Sequence, residues 1–200
     1  MNVEFHFDFG SPNAYFSHLV IPAIEARTGV KFNYMPVLLG GVFKATNNAS
    51  PGVTLQGIKN KPEYQRIETE RFLRRHGIEN YQPNPFFPVN TLQIMRGAVF
   101  ARKNDFFEHY VDEVYRHMWC DPKKMDEADV IASAFEESGL PADLILEGMQ
   151  DPDVKQTLIA NTNRSVEMGT FGSPTFYVDE EIYFGKDKLW EVEEKILSLS

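Results

Sequence analysis

The hydrophobic and polar positions at the start of the chain predict a strand, a helix and a second strand. Along Val3–Phe9 apolar residues alternate with other residues, which is the period of two typical of a β-strand. Apolar positions then recur at helical spacing up to Gly29, where the helix is expected to end, and Pro22 is expected to kink it. The run Val30–Leu39 predicts the second strand. Two strands joined in this way are expected to lie parallel, with a right-handed crossover.

The middle of the chain is predicted to be helical. Apolar residues recur among charges in Pro62–His76, and the proline-rich stretch Tyr81–Pro88 then predicts a loop. The helical pattern continues beyond this loop in Asn90–Ala101, Asp105–Met118, Glu127–Ser138, Ala142–Met149 and Val154–Met168.

The end of the chain predicts a hairpin followed by a helix. Thr175–Val178 and Ile182–Phe184 flank a short acidic turn, and Lys186–Leu199 is amphipathic. The element order is therefore β-α-β, several helices, then β-β-α. We predict an α/β, thioredoxin-like fold with an all-helical subdomain inserted after the second strand. Residues 1–45 and 170–200 would form the thioredoxin-like domain, and residues 46–169 the insertion.

Composition and charge narrow the classes of function. The 200 residues carry a net charge of −9, which argues against a nucleic-acid partner, and no apolar run approaches the roughly 18 residues of a membrane span. The first residues lack the pattern of a secretion signal, so a cytoplasmic protein is expected. Cys120 is the only cysteine, which excludes an intrachain disulfide or a CxxC pair, and the histidines show no tight metal-ligand spacing.

The tripeptide Gly-Ser-Pro occurs at two opposite junctions of this predicted fold. Ser11 and Pro12 stand at the start of the first helix, where a serine can cap the helix and where the helix dipole favours an anion. Redox proteins of the fold place a cysteine there, whereas a hydroxyl can donate a hydrogen bond to the thiolate of a ligand. Ser173 and Pro174 precede the third strand, where thioredoxin-like proteins carry a cis-proline beside an exposed backbone. Glutathione offers both a thiol and a peptide backbone.

Each copy alone also fits an ordinary structural role, as a helix cap or as a turn. Their joint placement in this element order is what favours ligand binding. Covalent serine catalysis is not expected, because neither copy is G-x-S-x-G and because His18 lies about 10 Å along the helix from Ser11. The LLGG stretch at Leu38–Gly41 is not a dinucleotide fingerprint.

Several longer stretches carry a resemblance to a known family. They are FDFGSPNAY, PVLLGGVFKATNNASPG, NKPEY followed by RFLRRHGI, FPVNTLQIMRGA, and FGSPTFYVDEEIYFGKDKL. In this order they resemble the 2-hydroxychromene-2-carboxylate isomerases, relatives of kappa-class glutathione transferases with a DsbA-like thioredoxin fold. The resemblance implies a homodimeric enzyme of aromatic compound catabolism, with glutathione as cofactor and a small electrophile as substrate.

The resemblance also implies roles for individual residues. Ser11 would be the catalytic residue that holds the glutathione sulfur. The tripeptide would be bound by Asn48, Lys61, Ser173, Pro174, Asp187 and Lys188, with Gly185 in the same element as the last two. The electrophilic substrate would lie between the thiolate and the helical insertion, with Phe43, Lys44 and Asn90 as candidate lining residues, although ordinary packing explains Phe43 equally well.

This sequence departs from the family pattern at four of its positions. Lys61 is followed by proline where the family has glycine, and Ser173 stands where hydrophobic residues or alanine are common. Lys188 replaces a frequent arginine and so lacks its bidentate fork. Asn13 replaces a tyrosine that borders the site, which leaves the substrate preference open.

The implied chemistry depends on a stabilised thiolate. A free thiol has a pKa near 8.5, and a helix terminus together with a charge-assisted hydrogen bond from Ser11 would lower it by about one to three units. Glutathione would add to a conjugated carbon, and bond rotation and elimination would then return the isomer and the thiol. Two alternatives remain open: a transferase or peroxidase that consumes glutathione, and a non-catalytic thiol-binding protein. A disulfide oxidoreductase is disfavoured, because Cys120 is expected to pack as a small hydrophobic residue.

Overall fold

The computed structural model describes residues 1–199 and contains a four-stranded mixed sheet covered by helices. The strands are β1 (Val3–Phe7), β2 (Asn33–Pro36), β3 (Thr175–Val178) and β4 (Glu181–Phe184), in the spatial order β2-β1-β3-β4. β1 is parallel to β2, and β3 is antiparallel to both β1 and β4. The predicted thioredoxin-like α/β fold, with its β-α-β start and its β-β-α end, is confirmed.

Helices occupy most of the remaining chain. Two short helices after β2 were not predicted, and the others lie close to the predicted bounds. They are α1 (Pro12–Thr28), α2 (Leu39–Thr46), α3 (Pro51–Thr54), α4 (Lys61–His76), α5 (Leu92–Lys103), α6 (Phe107–Trp119), α7 (Ala128–Glu137), α8 (Ala142–Gly148), α9 (Pro152–Glu167) and α10 (Leu189–Leu199), the last preceded by a 3-10 turn at Lys186–Lys188. Within residues 1–199 no helix is both long and apolar enough to cross a bilayer.

Strand β1 lies inside the sheet and is buried on both of its faces. Phe5 belongs to the apolar core on one face. On the other face Glu4 accepts hydrogen bonds from both terminal nitrogens of Arg164 at 2.9 Å, and His6 Nδ1 lies 2.7 Å from Ser165 Oγ. The alternation seen in the sequence therefore separates an apolar face from a buried polar face that is hydrogen-bonded to α9, rather than a buried face from a solvated one.

The second strand is shorter than the predicted Val30–Leu39, and a helix begins within that run. The Leu38 N–H donates to Thr162 Oγ1 at 3.0 Å, and the Leu39 N–H donates to Asp8 Oδ2 at 2.7 Å. These two bonds turn the backbone away from the sheet after Val37 and start α2. Both acceptors belong to distant parts of the chain, so the hydrophobic pattern alone could not predict this helix.

Helix α1 begins and ends where the sequence predicted. Pro12 is its first residue, the helix continues through Pro22, and Gly29 follows its last residue with a φ of 72°. The Gly29 N–H donates to the carbonyl of Glu25 at 2.8 Å, which closes the last turn. The start of α1 at Ser11 is thereby fixed relative to the sheet.

The inserted helices pack against one another and against the sheet. α5 contacts α6, α8, α9 and β2, and the buried apolar residues of these helices form one cluster with those of the strands. The division into residues 1–45 with 170–200 and residues 46–169 stays a prediction.

Candidate active site

Ser11 stands where the chain leaves β1 and enters α1, and it touches the second Gly-Ser-Pro tripeptide. Its backbone is extended, with φ −99° and ψ 113°, and its Oγ accepts a hydrogen bond from the Ala14 N–H at 3.2 Å, so the predicted N-cap is confirmed. The same Oγ donates to the carbonyl oxygen of Ser173 at 2.9 Å. Ser11 is 6% exposed. Its hydroxyl proton is thus held by a backbone carbonyl rather than by water.

The junction before β3 has the geometry expected of the thioredoxin fold. The Ser173–Pro174 peptide bond is cis, as predicted. The Pro174 carbonyl accepts a hydrogen bond from the Gly185 N–H at 2.9 Å. This bond holds the loop that carries Asp187 beside the start of β3. A second cis bond, Phe87–Pro88, lies in the proline-rich loop.

The side chain of Ser173, unlike its carbonyl, forms no hydrogen bond in the described residues. Its Oγ is buried from solvent and has no hydrogen-bond partner among residues 1–199. At the nearby start of α1, the Asn13 N–H has no acceptor within the helix, whereas Pro12 has no N–H and the Ala14 and Tyr15 N–H groups donate to Ser11. Because the Asn13 N–H is a donor at the positive end of a helix, the junction is suited to a ligand atom that accepts hydrogen bonds and carries negative charge.

Asp8 supports the candidate site and was not singled out in the sequence. It is fully buried, and its carboxylate accepts hydrogen bonds from the Gly10 N–H at 2.8 Å, the Leu39 N–H at 2.7 Å and Thr91 Oγ1 at 3.0 Å. Its carbonyl also accepts the Ser11 N–H at 3.1 Å. Burial raises the pKa of Asp8, and the three donors oppose this effect without cancelling it. Asp8 therefore joins the turn before Ser11 to the starts of α2 and α5. An acidic residue two positions before the first Gly-Ser-Pro was the available signal.

Of the predicted glutathione-binding residues, Asn48 contacts the segment before Ser173, whereas Lys61 does not. The Asn48 side chain donates from Nδ2 to the carbonyl of Phe171 at 2.8 Å, which brings it to the segment that leads into Ser173. Lys61 is exposed at the start of α4, and its ammonium forms no hydrogen bond or ion pair within residues 1–199. No contact joins Lys61 to Ser11 in the described part of the chain.

The predicted Asp187 and Lys188 element contains a cation that the sequence analysis did not single out. Both carboxylate oxygens of Asp187 lie 2.6 Å from the ammonium of Lys186. Lys186 is only 6% exposed, and its Nζ lies 4.7 Å from the centre of the Phe72 ring. Lys188 instead forms an ion pair with Glu191. The charged partner of Asp187 in the free protein is therefore Lys186.

The candidate substrate-lining residues do not touch Ser11. Phe43 is half-buried and Lys44 is exposed, both on α2. Asn90 accepts the Leu92 N–H at 3.1 Å through its Oδ1, so its side chain is bonded to the first residue of α5. The assignment of Phe43, Lys44 and Asn90 to a substrate site stays a prediction.

Two clefts lie away from the serine junction. One of about 720 Å³ follows the outer edge of β2, where Arg102 donates to Asn33 Oδ1 at 3.2 Å and to the carbonyl of Tyr34. Arg102 thereby covers the open backbone of an edge strand, which is a structural role. The other cleft, of about 160 Å³, lies between α2, α5 and α9. Neither Ser11 nor the candidate residues of α2 line these clefts.

A group of potential metal ligands is already filled by a lysine. His117, Asp121 and Glu137 bring their ligand atoms within 4.8 Å of one another. The ammonium of Lys123 lies 2.9 Å from His117 Nδ1, 2.9 Å from an Asp121 oxygen and 2.6 Å from a Glu137 oxygen. Lys123 therefore supplies the cation that this group would otherwise attract.

Cys120 is half-buried at the end of α6, and its Sγ lies 2.8 Å from the hydroxyl of Tyr15. It was expected to act only as a small packing residue, and the structure adds this polar contact. Burial, and then the contact with Cys120, raise the pKa of Tyr15. The single thiol thus faces a neutral phenol.

Comparisons with known proteins agree with this geometry. The chain is 26% identical over 198 residues to a 2-hydroxychromene-2-carboxylate isomerase of Sphingobium xenophagum, covering 98% of this chain and 97% of that protein. It is 25% identical to "Glutathione S-transferase kappa 1" of Homo sapiens, covering 94% of this chain and 87% of that protein.

Solved structures show the same fold. A 2-hydroxychromene-2-carboxylate isomerase superposes with a TM-score of 0.83 at 23% identity, covering 100% of this chain and 96% of the other. A probable DsbA oxidoreductase from Streptomyces coelicolor gives a TM-score of 0.69 at 17% identity, covering 99% and 90% of the two chains. Residues 2–197 match the DSBA-like thioredoxin domain, and the chain belongs to that family.

Proposed function

We propose that this protein is a cytoplasmic, glutathione-dependent isomerase of the 2-hydroxychromene-2-carboxylate isomerase type, acting on an aromatic-derived conjugated keto acid or hemiketal. One observation carries the proposal: a buried serine hydroxyl at a helix N-terminus lies 2.9 Å from the carbonyl before a cis-proline. The full-length similarity to isomerases of that name supports the choice of reaction.

The residues at the junction fit a thiol-bearing tripeptide. In the free protein the single proton of Ser11 Oγ is donated to the Ser173 carbonyl. When the Ser11 hydroxyl turns to a sulfur anion, that carbonyl becomes available to an N–H of the tripeptide backbone. Ligand binding would thus exchange one hydrogen bond for two, and neither the Ser11 hydroxyl nor the Ser173 carbonyl would be left unpaired.

The protein contributes mainly by holding the sulfur in its ionised form. A hydrogen bond from Ser11 to a charged acceptor contributes about 1.5–3 kcal/mol, and the end of α1 adds about 0.3–1 kcal/mol. Together these favour the thiolate by one to three pKa units, at about 1.4 kcal/mol per unit. Bound glutathione would supply a nucleophile that adds reversibly to the conjugated substrate. Burial of Ser11 keeps water from competing for the hydroxyl.

The charged residues of the predicted set suit the ends of the tripeptide. Asp187 would take the glutamyl ammonium and Lys188 a carboxylate, with Lys188 giving up its contact with Glu191. Lys61, exposed and without a side-chain partner in residues 1–199, would supply a further cation. Asn48 would act by holding the segment before Ser173, since its side chain is bonded to the Phe171 carbonyl.

A direct test follows the isomerisation of 2-hydroxychromene-2-carboxylate by absorbance, with and without glutathione, while total thiol is titrated. We expect turnover to require glutathione and the amount of thiol to stay constant. Ser11→Ala should lower kcat/KM by about 10- to 150-fold, the loss of one hydrogen bond to a charged sulfur. Ser198→Ala, an exposed serine on α10, is the matched control. Full glutathione-dependent turnover by Ser11→Ala would contradict the proposal.

A glutathione transferase or peroxidase is the second candidate, favoured by the similarity to the kappa-class enzyme. The same titration separates the two functions, because a transferase removes one thiol for each product formed. Binding of glutathione in a calorimeter, without turnover of any conjugated electrophile, would instead indicate a thiol-binding protein.

A further inference from the structure

The Ser173 hydroxyl is the unexplained polar group of the candidate site. Its Oγ is buried from solvent and has no hydrogen-bond partner among residues 1–199. Buried hydroxyls are nearly always hydrogen-bonded, and leaving one unpaired costs about 1–3 kcal/mol. The only other unpaired buried side-chain oxygen in the described chain is that of Tyr115, which lies in the core.

We infer that Ser173 is a second hydroxyl donor to the sulfur of the bound thiol, acting together with Ser11. This inference rests on the proposed function. It differs from the backbone role of Ser173 that the family resemblance implies, because it concerns the side chain, and this chain has a hydroxyl where hydrophobic residues or alanine are common.

Geometry allows both hydroxyls to reach one atom. Ser11 Oγ lies 2.9 Å from the Ser173 carbonyl oxygen. The bond lengths of a serine then place its own Oγ within about 7 Å of Ser11 Oγ. An acceptor seated between two donors at ordinary hydrogen-bond distances spans about 6 Å.

The chemistry of the junction selects a negatively charged acceptor. The Ser173 hydroxyl needs an acceptor, whereas the Ser11 hydroxyl, which bonds the Ser173 carbonyl, and the Asn13 N–H at the start of α1 are donors. A thiolate satisfies the Ser173 hydroxyl without taking an acceptor from any protein group. Two hydroxyl donors would therefore hold the ionised sulfur more strongly than Ser11 alone.

The test measures the pKa of the bound thiol from the ultraviolet absorbance of its thiolate as pH is raised, in wild type, Ser173→Ala, Ser11→Ala and the control Ser198→Ala. Loss of one of two donors should raise the pKa of bound glutathione by about one unit in Ser173→Ala. Ser173→Thr, which keeps the hydroxyl, should restore the wild-type value. Thermal unfolding without glutathione should show that Ser173→Ala is at least as stable as wild type, because an unpaired buried hydroxyl is removed.

An unchanged thiol pKa in Ser173→Ala, with Ser11→Ala clearly raised, would overturn this inference and leave the proposed function intact. A loss of stability in unliganded Ser173→Ala would also overturn it, since the hydroxyl would then have a structural partner. A wild-type protein that binds no glutathione by calorimetry would overturn the proposed function and this inference with it.

Discussion

Replacing Thr91 by valine tests how the buried carboxylate of Asp8 holds the site together. Thr91 Oγ1 donates to Asp8 Oδ2 at 3.0 Å, and the threonine forms no side-chain cap at the start of α5. Valine has nearly the same shape and keeps the β-branch. The substitution therefore removes one donor to a buried charge, while the backbone donors of Gly10 and Leu39 remain.

The expected loss follows from the charge of the acceptor and depends on pH. A hydrogen bond to a charged group contributes about 1.5–3 kcal/mol, and that is the predicted decrease in the free energy of unfolding of Thr91→Val at a pH above the folded-state pKa of Asp8. Burial raises the pKa of Asp8 above its ordinary 3.8, so the folded protein takes up a proton at a higher pH than the unfolded chain does. The Thr91 hydroxyl favours the charged form. Its removal should therefore cost most above the folded-state pKa of Asp8 and less as pH falls through it.

Urea unfolding followed by circular dichroism over a pH series measures this difference. Thr157→Val, on the exposed side of α9, removes a hydroxyl bonded to a backbone carbonyl and is the matched control. The control should show little change at any pH. A loss in Thr91→Val that is the same at neutral and acid pH would refute the argument, because a neutral or purely steric effect does not follow the charge of Asp8.

Three further predictions concern other parts of the molecule. Burial alone would raise the pKa of Glu4, but its guanidinium and imidazole partners lower that pKa from 4.5 to about 2. Glu4 thus contributes about 3 kcal/mol of stability that is lost as pH falls through about 2. Glu4→Gln should therefore flatten the acid limb of the pH–stability curve. Lys123→Ala should make the variant, unlike wild type, gain melting temperature with zinc, because the Lys123 ammonium no longer bridges the three ligands while Arg116 keeps its contact with Glu137; no zinc effect would contradict this. A Cβ on Gly97 would lie 2.0 Å from the Tyr110 hydroxyl, so Gly97→Ala should cost about 1–3 kcal/mol in chemical denaturation, whereas Gly40→Ala, with open space around it, should not destabilise.

The two serine junctions were predicted from different kinds of signal. A serine followed by proline after a strand specifies an N-cap within a few residues, and Ser11 caps α1 in the structure. The cis bond before Pro174, which is present, was predicted from the order of elements, because thioredoxin-like proteins carry a cis-proline before this strand. The N-cap thus follows from local residue types, whereas the cis bond follows from the predicted fold.

The contacts that complete the site depend on packing between distant segments. Helix α2 forms because the Leu39 N–H meets Asp8, a residue of a different element. Lys186 rather than Lys188 pairs with Asp187, because the 3-10 turn places the first lysine over the ring of Phe72. The pattern of apolar and charged positions along the sequence cannot predict which of the two lysines that flank Asp187 forms the ion pair.

The buried polar face of β1 connects stability with the candidate site. Glu4 and His6 are hydrogen-bonded to α9, and Asp8 continues the same period of two beyond the end of the strand. Each of these buried side chains forms a hydrogen bond with another element, so none can shift without leaving a buried polar group unpaired. Because the Asp8 carbonyl also holds the Ser11 N–H, the position of the Ser11 hydroxyl is set by this chain of contacts before any ligand arrives. The proposed sulfur site is therefore expected to be preorganised, with rotation of the Ser11 hydroxyl as its main adjustment on binding.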